Sequence, residues 1–113
     1  MHEYSIVQSL LESCDDNAKA NGAKEITKVV IKIGVMSGVE SQLLEVAFDT
    51  FKEGTVCNNA EFIINIQPIV VKCLDCLEES TLDDNQYRCP LCSSPKLDII
   101  DGEDMYLMQL EMI

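Results

Sequence analysis

Apolar side chains recur at helical spacing from residue 4 to residue 21. Ile6, Val7, Leu10, Leu11, Cys14 and Ala18 fall on one side, and Glu12, Asp15, Asp16 and Lys19 on the other. This predicts an amphipathic helix. Ser5 and Gln8 have the spacing of a capping box at its start, and Asn21-Gly22 is a stop signal at its end. Met1, His2 and Glu3 are then expected at or before the first turn, exposed. The period changes to two over 25–33, where Val29, Ile31 and Ile33 alternate with Lys28 and Lys32, predicting a strand with one buried face. A loop over 34–38 follows, Gly-Val-Met-Ser-Gly. A second helix is predicted over about 40–53, with Leu43, Leu44, Ala47, Phe48 and Phe51 as its apolar stripe and Gly54 ending it.

Alternation returns over 60–67, with Phe62, Ile64 and Ile66 against Asn65 and Gln67, and stops at Pro68. The acidic stretch 78–85 reads as a solvated loop, and 97–100 as a short strand before an Asp101-Gly102 turn. In 104–112, Tyr106, Met108, Leu110 and Met112 share one expected face and Gln109 and Glu111 the other. Regular alternation favours core packing over a soft-metal site for these methionines. The expected fold is α+β: two helices packed on the apolar face of a three-stranded sheet (26–33, 60–67, 104–112), with a four-cysteine zinc-ribbon module inserted before the last strand. The expected units are 1–68 plus 103–113, and 69–102.

The inserted segment carries the clearest chemistry. Cys73-Leu-Asp-Cys76, twelve residues, then Cys89-Pro-Leu-Cys92 form two Cys-x-x-Cys pairs. A two-residue gap lets a tight turn place two sulfurs on one ion, and two such pairs complete a tetrahedron. All four ligands are thiolates, so the site is structural, with no position open to water or substrate. So small a segment could not hold itself together by apolar burial alone; zinc supplies on the order of 10–16 kcal/mol. Cys14 and Cys57 lack partners at ligand spacing and read as buried, structural thiols.

Charge narrows the partners. Eight basic residues against twenty acidic ones give a net charge of −12. Nucleic acid meets repulsion over most of such a surface, whereas cations and basic protein surfaces are attracted. That weighs against a zinc-ribbon adaptor on nucleic acid, which is the main alternative reading. An oxidoreductase using a Cys-x-x-Cys pair lacks both a thioredoxin-like βαβ context and a second histidine to act as base. The N-terminus has no signal-peptide pattern, and no apolar run reaches the roughly 20 residues of a membrane span. Six cysteines then indicate a reducing cytoplasm.

His2 is the only histidine. At position two, the free α-amine, the amide nitrogen of residue two and an imidazole nitrogen can chelate one ion through fused rings. Planar nitrogen donors favour Ni(II) or Cu(II). Glu3, through its amide or carboxylate, or a water completes the set. The competing reading is an ordinary exposed histidine beside a frayed terminus.

Met1-His2-Glu3 followed by Tyr-Ser, the helix behind it, the 34–38 loop and the two Cys-x-x-Cys pairs before a C-terminal strand closely resemble the HypA/HybF family of nickel-insertion proteins. The resemblance covers the whole chain in order. It implies a metallochaperone without catalysis, delivering nickel to [NiFe]-hydrogenase and in some bacteria to urease. It implies partnership with the nickel-related GTPase HypB, the hydrogenase large subunit or its maturation complex, and urease accessory proteins. It also implies nickel at Met1, His2 and Glu3, and structural zinc at Cys73, Cys76, Cys89 and Cys92. Val35 stands where many members carry a glutamate. Leu77, Glu78 and Ser93 stand where some carry a histidine beside the zinc cysteines, leaving His2 and the α-amine as the groups that respond near neutral pH.

Overall fold

The computed structural model describes residues 3–82 and 86–113. Helix α1 (Glu3–Ala20) buries Val7, Leu10, Cys14 and Ala18, the inner part of the predicted stripe. It ends as Asn21-Gly22 indicates. Gly22 takes a positive φ, the Ala23 N–H donates to the Ala18 carbonyl (2.8 Å), and the Gly22 N–H donates to Lys19 (3.2 Å). These two bonds satisfy carbonyls left over at the helix end. The start differs from expectation. The helix is already formed at Glu3, so Ser5 lies inside the first turn rather than capping it.

Strand β1 (Ile26–Gly34) is the centre of the main sheet. It pairs parallel with β2 (Glu61–Gln67) and antiparallel with β6 (Met105–Met112). The parallel pair requires a crossover, and α2 (Ser41–Phe51) supplies it. Glu40 caps α2, its own carboxylate accepting from the Gln42 N–H. Val29, Ile31 and Ile33 are buried as predicted and join Leu44, Ala47 and Phe48 of α2 in one core with α1. Phe48 stacks on Phe62 of β2, ring centroids 4.0 Å apart and planes 7° from parallel. The stripe on α2 is narrower than its sequence suggested. Leu43 is 55% exposed and Phe51 39%, because α1 covers only part of the apolar arc. Phe51 instead meets the Tyr4 ring edge-on at 5.4 Å.

The expected single face of β6 is also corrected. The register against β1 slips between Val30 and Ile31, opposite Gln109 and Leu107. The bulge exchanges the faces on its two sides. Met105, Leu107, Leu110 and Met112 pack on the core, whereas Tyr106 and Met108 are exposed.

A second sheet, order β4-β3-β5, occupies the inserted segment: β3 (Val70–Cys73), β4 (Glu79–Thr81) and β5 (Leu97–Asp101). Two of these strands fall where a lead-in and a solvated loop were expected. β4 is three polar residues, Glu-Ser-Thr, and β3 is a four-residue Val-Val-Lys-Cys in which Val71 and Cys73 are buried, so neither is long enough to show a period. Of the expected acidic loop, residues 83–85 lie outside the described residues.

The two sheets meet at Gly34 and Gly102. The Met36 N–H donates to the Gly102 carbonyl (2.8 Å) and the Val35 N–H to Gln67 (3.0 Å). Lys32 of β1 reaches Asp101 of β5, Nζ to Oδ2 2.9 Å.

Candidate metal centres

The Cys-x-x-Cys pairs sit on two matching turns beside β3 and β5. In the first, the Leu77 N–H donates to the Cys73 carbonyl (3.0 Å) and the Cys76 N–H to Cys73 Sγ (3.4 Å). In the second, the Ser93 N–H donates to the Cys89 carbonyl (2.8 Å) and the Leu91 N–H to Cys89 Sγ (3.4 Å). Each turn closes through a residue with φ of 64°, Leu77 and Ser93. Ser94 braces the pair: its hydroxyl donates to the Asp75 carboxylate and accepts from the Lys96 N–H.

The four sulfurs lie within 4.8 Å of one another. Cys73 to Cys92 is 3.5 Å and Cys76 to Cys89 is 3.7 Å. A tetrahedron with metal–sulfur bonds of about 2.3 Å has sulfurs about 3.8 Å apart, so the cluster matches a tetrathiolate ion in donor type, number and spacing. As thiols the four cannot ionise together. Cys73 is lowered to about 6, chiefly by the Cys76 N–H, aided by the Asp75 N–H and the Cys92 thiol. At Cys92 the Ser94 N–H acts downward, but the Cys73 thiol, burial and the other two thiols push it up to about 12. One thiol ionises at its neighbours' expense; a bound dication removes that conflict. Among the described residues, this is the group of side chains that could hold a metal ion.

At the other end, Met1 and His2 lie outside the described residues. Glu3 is described, and it is buried (5% exposed) rather than exposed as expected. Its carboxylate accepts from the Glu40 N–H at 3.4 Å, so the first turn of α1 is held against the start of α2. Sequence reading did not single out Glu40, since a contact over 37 residues leaves no local signal. Cys14 and Cys57 are both fully buried, and their thiols lie close enough to shift one another. That contact raises Cys14 and lowers Cys57. Among the described residues, no helix is long and apolar enough to cross a membrane.

Comparison with known proteins agrees with this arrangement. Residues 1–112 match the family described as hydrogenase/urease nickel incorporation, metallochaperone, HypA. A hydrogenase maturation factor HypA of Shewanella sp. (strain MR-7) is 56% identical over 112 residues, covering 99% of this chain and 95% of its own. That of Aquifex aeolicus (strain VF5) is 54% identical over 112 residues, covering 99% and 97%. Among solved structures, the nickel metallochaperone HypA from Helicobacter pylori superposes with a TM-score of 0.72 at 37% identity, covering 100% of this chain and 98% of that one.

Proposed function

The chain belongs to the HypA family of metallochaperones, and on that premise we propose that it carries Ni(II) at its N-terminus and hands it to a [NiFe]-hydrogenase during maturation. The family description includes urease, and urease is the second recipient in a cell that makes it. The hydrogenase large subunit or its maturation complex and the nickel-related GTPase HypB are the partners, with urease accessory proteins where that enzyme is present. The protein acts in the cytoplasm.

The Met1 amine, the amide and imidazole nitrogens of His2, and Glu3 bind the cargo. The observation that supports this is the anchoring of Glu3. The residue following His2 is buried and held by the Glu40 N–H, so the chelating terminus starts from a fixed point on the α1–α2 pair. A carrier must also release its metal. Micromolar affinity, about −8 kcal/mol, serves delivery better than tighter binding. Acid favours release because amine, amide and imidazole regain protons.

Cys73, Cys76, Cys89 and Cys92 hold zinc, with residues 69–102 as the zinc-binding unit and 1–68 plus 103–113 as the nickel-binding unit. The support is the near-tetrahedral sulfur spacing and an all-thiolate donor set, which suits zinc and leaves no open position. Bound there, zinc supplies structural cross-linking and no catalysis.

The deciding experiment is nickel titration of zinc-loaded protein with its native terminus, beside the same protein with one glycine added before Met1. The extension moves only the amine. Loss of nickel binding in the extended form, and in His2→Ala, is expected. Equal binding by both forms would place nickel elsewhere.

A further inference from the structure

The two metal turns carry three leucines that the fold does not use. Leu74 is 55% exposed, Leu77 66% and Leu91 66%. The apolar interior of this segment is already made by Val71 and Leu82, 1% and 6% exposed. Each leucine adjoins in sequence a cysteine of one cluster whose sulfurs lie within 4.8 Å of one another, so the backbones of all three are held close to that cluster.

Leu77 is the telling one. Its φ of 64° is a left-handed conformation that a bulky side chain disfavours and glycine adopts freely. Elsewhere among the described residues this chain meets that conformation with glycine, at Gly22, Gly38, Gly54 and Gly102, and otherwise only with Ser93. A leucine that is both strained and exposed contributes nothing to folding that glycine would not. Backbone strain of this kind is kept where a side chain serves contact.

From this we infer that the exposed Leu74, Leu77 and Leu91 beside the cysteine cluster form a docking surface for a cationic, amphipathic segment of a partner protein. The charge around it selects the occupant. Among the described residues of 73–96, Asp75, Glu78 and Glu79 stand against Arg88 and Lys96, and four thiolates on a dication add two further negative charges. A second copy of the chain brings the same net −12 and is repelled, and so is nucleic acid. Lysine or arginine beside apolar side chains matches both features. The inference rests on the cluster holding its metal and is independent of where nickel binds.

The test uses the full zinc-loaded chain and a fluorescein-labelled 14-residue peptide of leucine and lysine patterned as an amphipathic helix. Fluorescence anisotropy should report binding that weakens with salt. Leu77→Gly and Leu91→Ser keep every charge, and each is expected to retain one zinc and to weaken binding about tenfold, the effect of losing one buried leucine contact. Glu78→Gln with Glu79→Gln should weaken it severalfold. Affinity unchanged in both leucine variants would mean that the acidic surface alone holds the peptide and would overturn the proposal. Zinc-loaded wild type that self-associates in sedimentation, with Leu91→Ser remaining monomeric, would overturn it too, by showing a second copy as the occupant.

Discussion

Gly34 lies against Gly102 so closely that a Cβ on Gly34 would overlap the Gly102 carbonyl carbon and oxygen. Gly102 in turn takes a φ of +104°, and backbone atoms of Ile69 and Pro68 stand 2.8 and 2.9 Å from where its own Cβ would be, closer than van der Waals contact. The joint between the two sheets is therefore backbone against backbone. Neither side can yield as a flexible side chain would.

Gly34→Ala is expected to destabilise by about 3 kcal/mol or more, because backbone must shift to admit one methyl group. Gly54→Ala is the control. Gly54 has a positive φ but open space around it, so only conformational strain of about 1 kcal/mol applies. Urea denaturation of the zinc-loaded variants measures both. Equal costs would mean that the close approach at the joint carries no energy.

Thiol labelling separates the six cysteines by environment. With metal bound, none of the six should react promptly with iodoacetamide: four are ligands, and Cys14 and Cys57 are fully buried. A strong chelator should release four, identified by mass spectrometry as Cys73, Cys76, Cys89 and Cys92. Cys14 and Cys57 should follow only in denaturant, because their core is built from α1, α2 and the main sheet. Simultaneous labelling of all six on chelation would show that the core depends on the metal.

The Lys32–Asp101 pair predicts a pH effect of known sign. Lys32 lowers the Asp101 carboxyl below its usual value, helped by the Gly102 N–H, while the Lys32 ammonium also sits 5.1 Å above the Tyr106 ring. A depressed carboxylate contributes stability above its unfolded value, and loses it as pH falls through the folded one. Wild type should therefore exceed Asp101→Asn in thermal stability from neutral pH down to about 4, and the gap should close below that. A gap that persists unchanged at pH 2 would assign the effect to packing rather than charge.

Phe48 and Phe62 stack across the α2–β2 crossover, and Phe48 is fully buried. Phe48→Ala should cost about 3–5 kcal/mol, transfer loss plus cavity. Leu43→Ala, on the exposed side of the same helix, should change stability by about 0.5 kcal/mol or less. Chemical denaturation of the two variants distinguishes an inner arc ending at Leu44 from the wider stripe.

The elements whose signals are local were legible in the chain. Periods of 3.6 and 2 marked both helices and the strands of the main sheet, because one face of each helix and of β1 is buried and Phe62 and Ile64 of β2 pack against that core; Ile66, expected on the same face, is 53% exposed. Asn21-Gly22 marked a helix end, because few residues tolerate the left-handed conformation there. The four-cysteine cluster was legible because tight turns constrain the spacing of each pair. Tertiary structure alone decided the rest. The β6 bulge moves Tyr106 and Met108 outward, and it arises from register against β1 rather than from β6 itself. Strands β3 and β4 are held by their pairing, and at four and three residues they are too short for a period to announce them, although Val71 and Cys73 of β3 are buried. Cys14 meets Cys57, and Glu3 meets Glu40, only after long loops close. Contacts between distant residues leave no period in a sequence, and the burial of Glu3 belongs to that class.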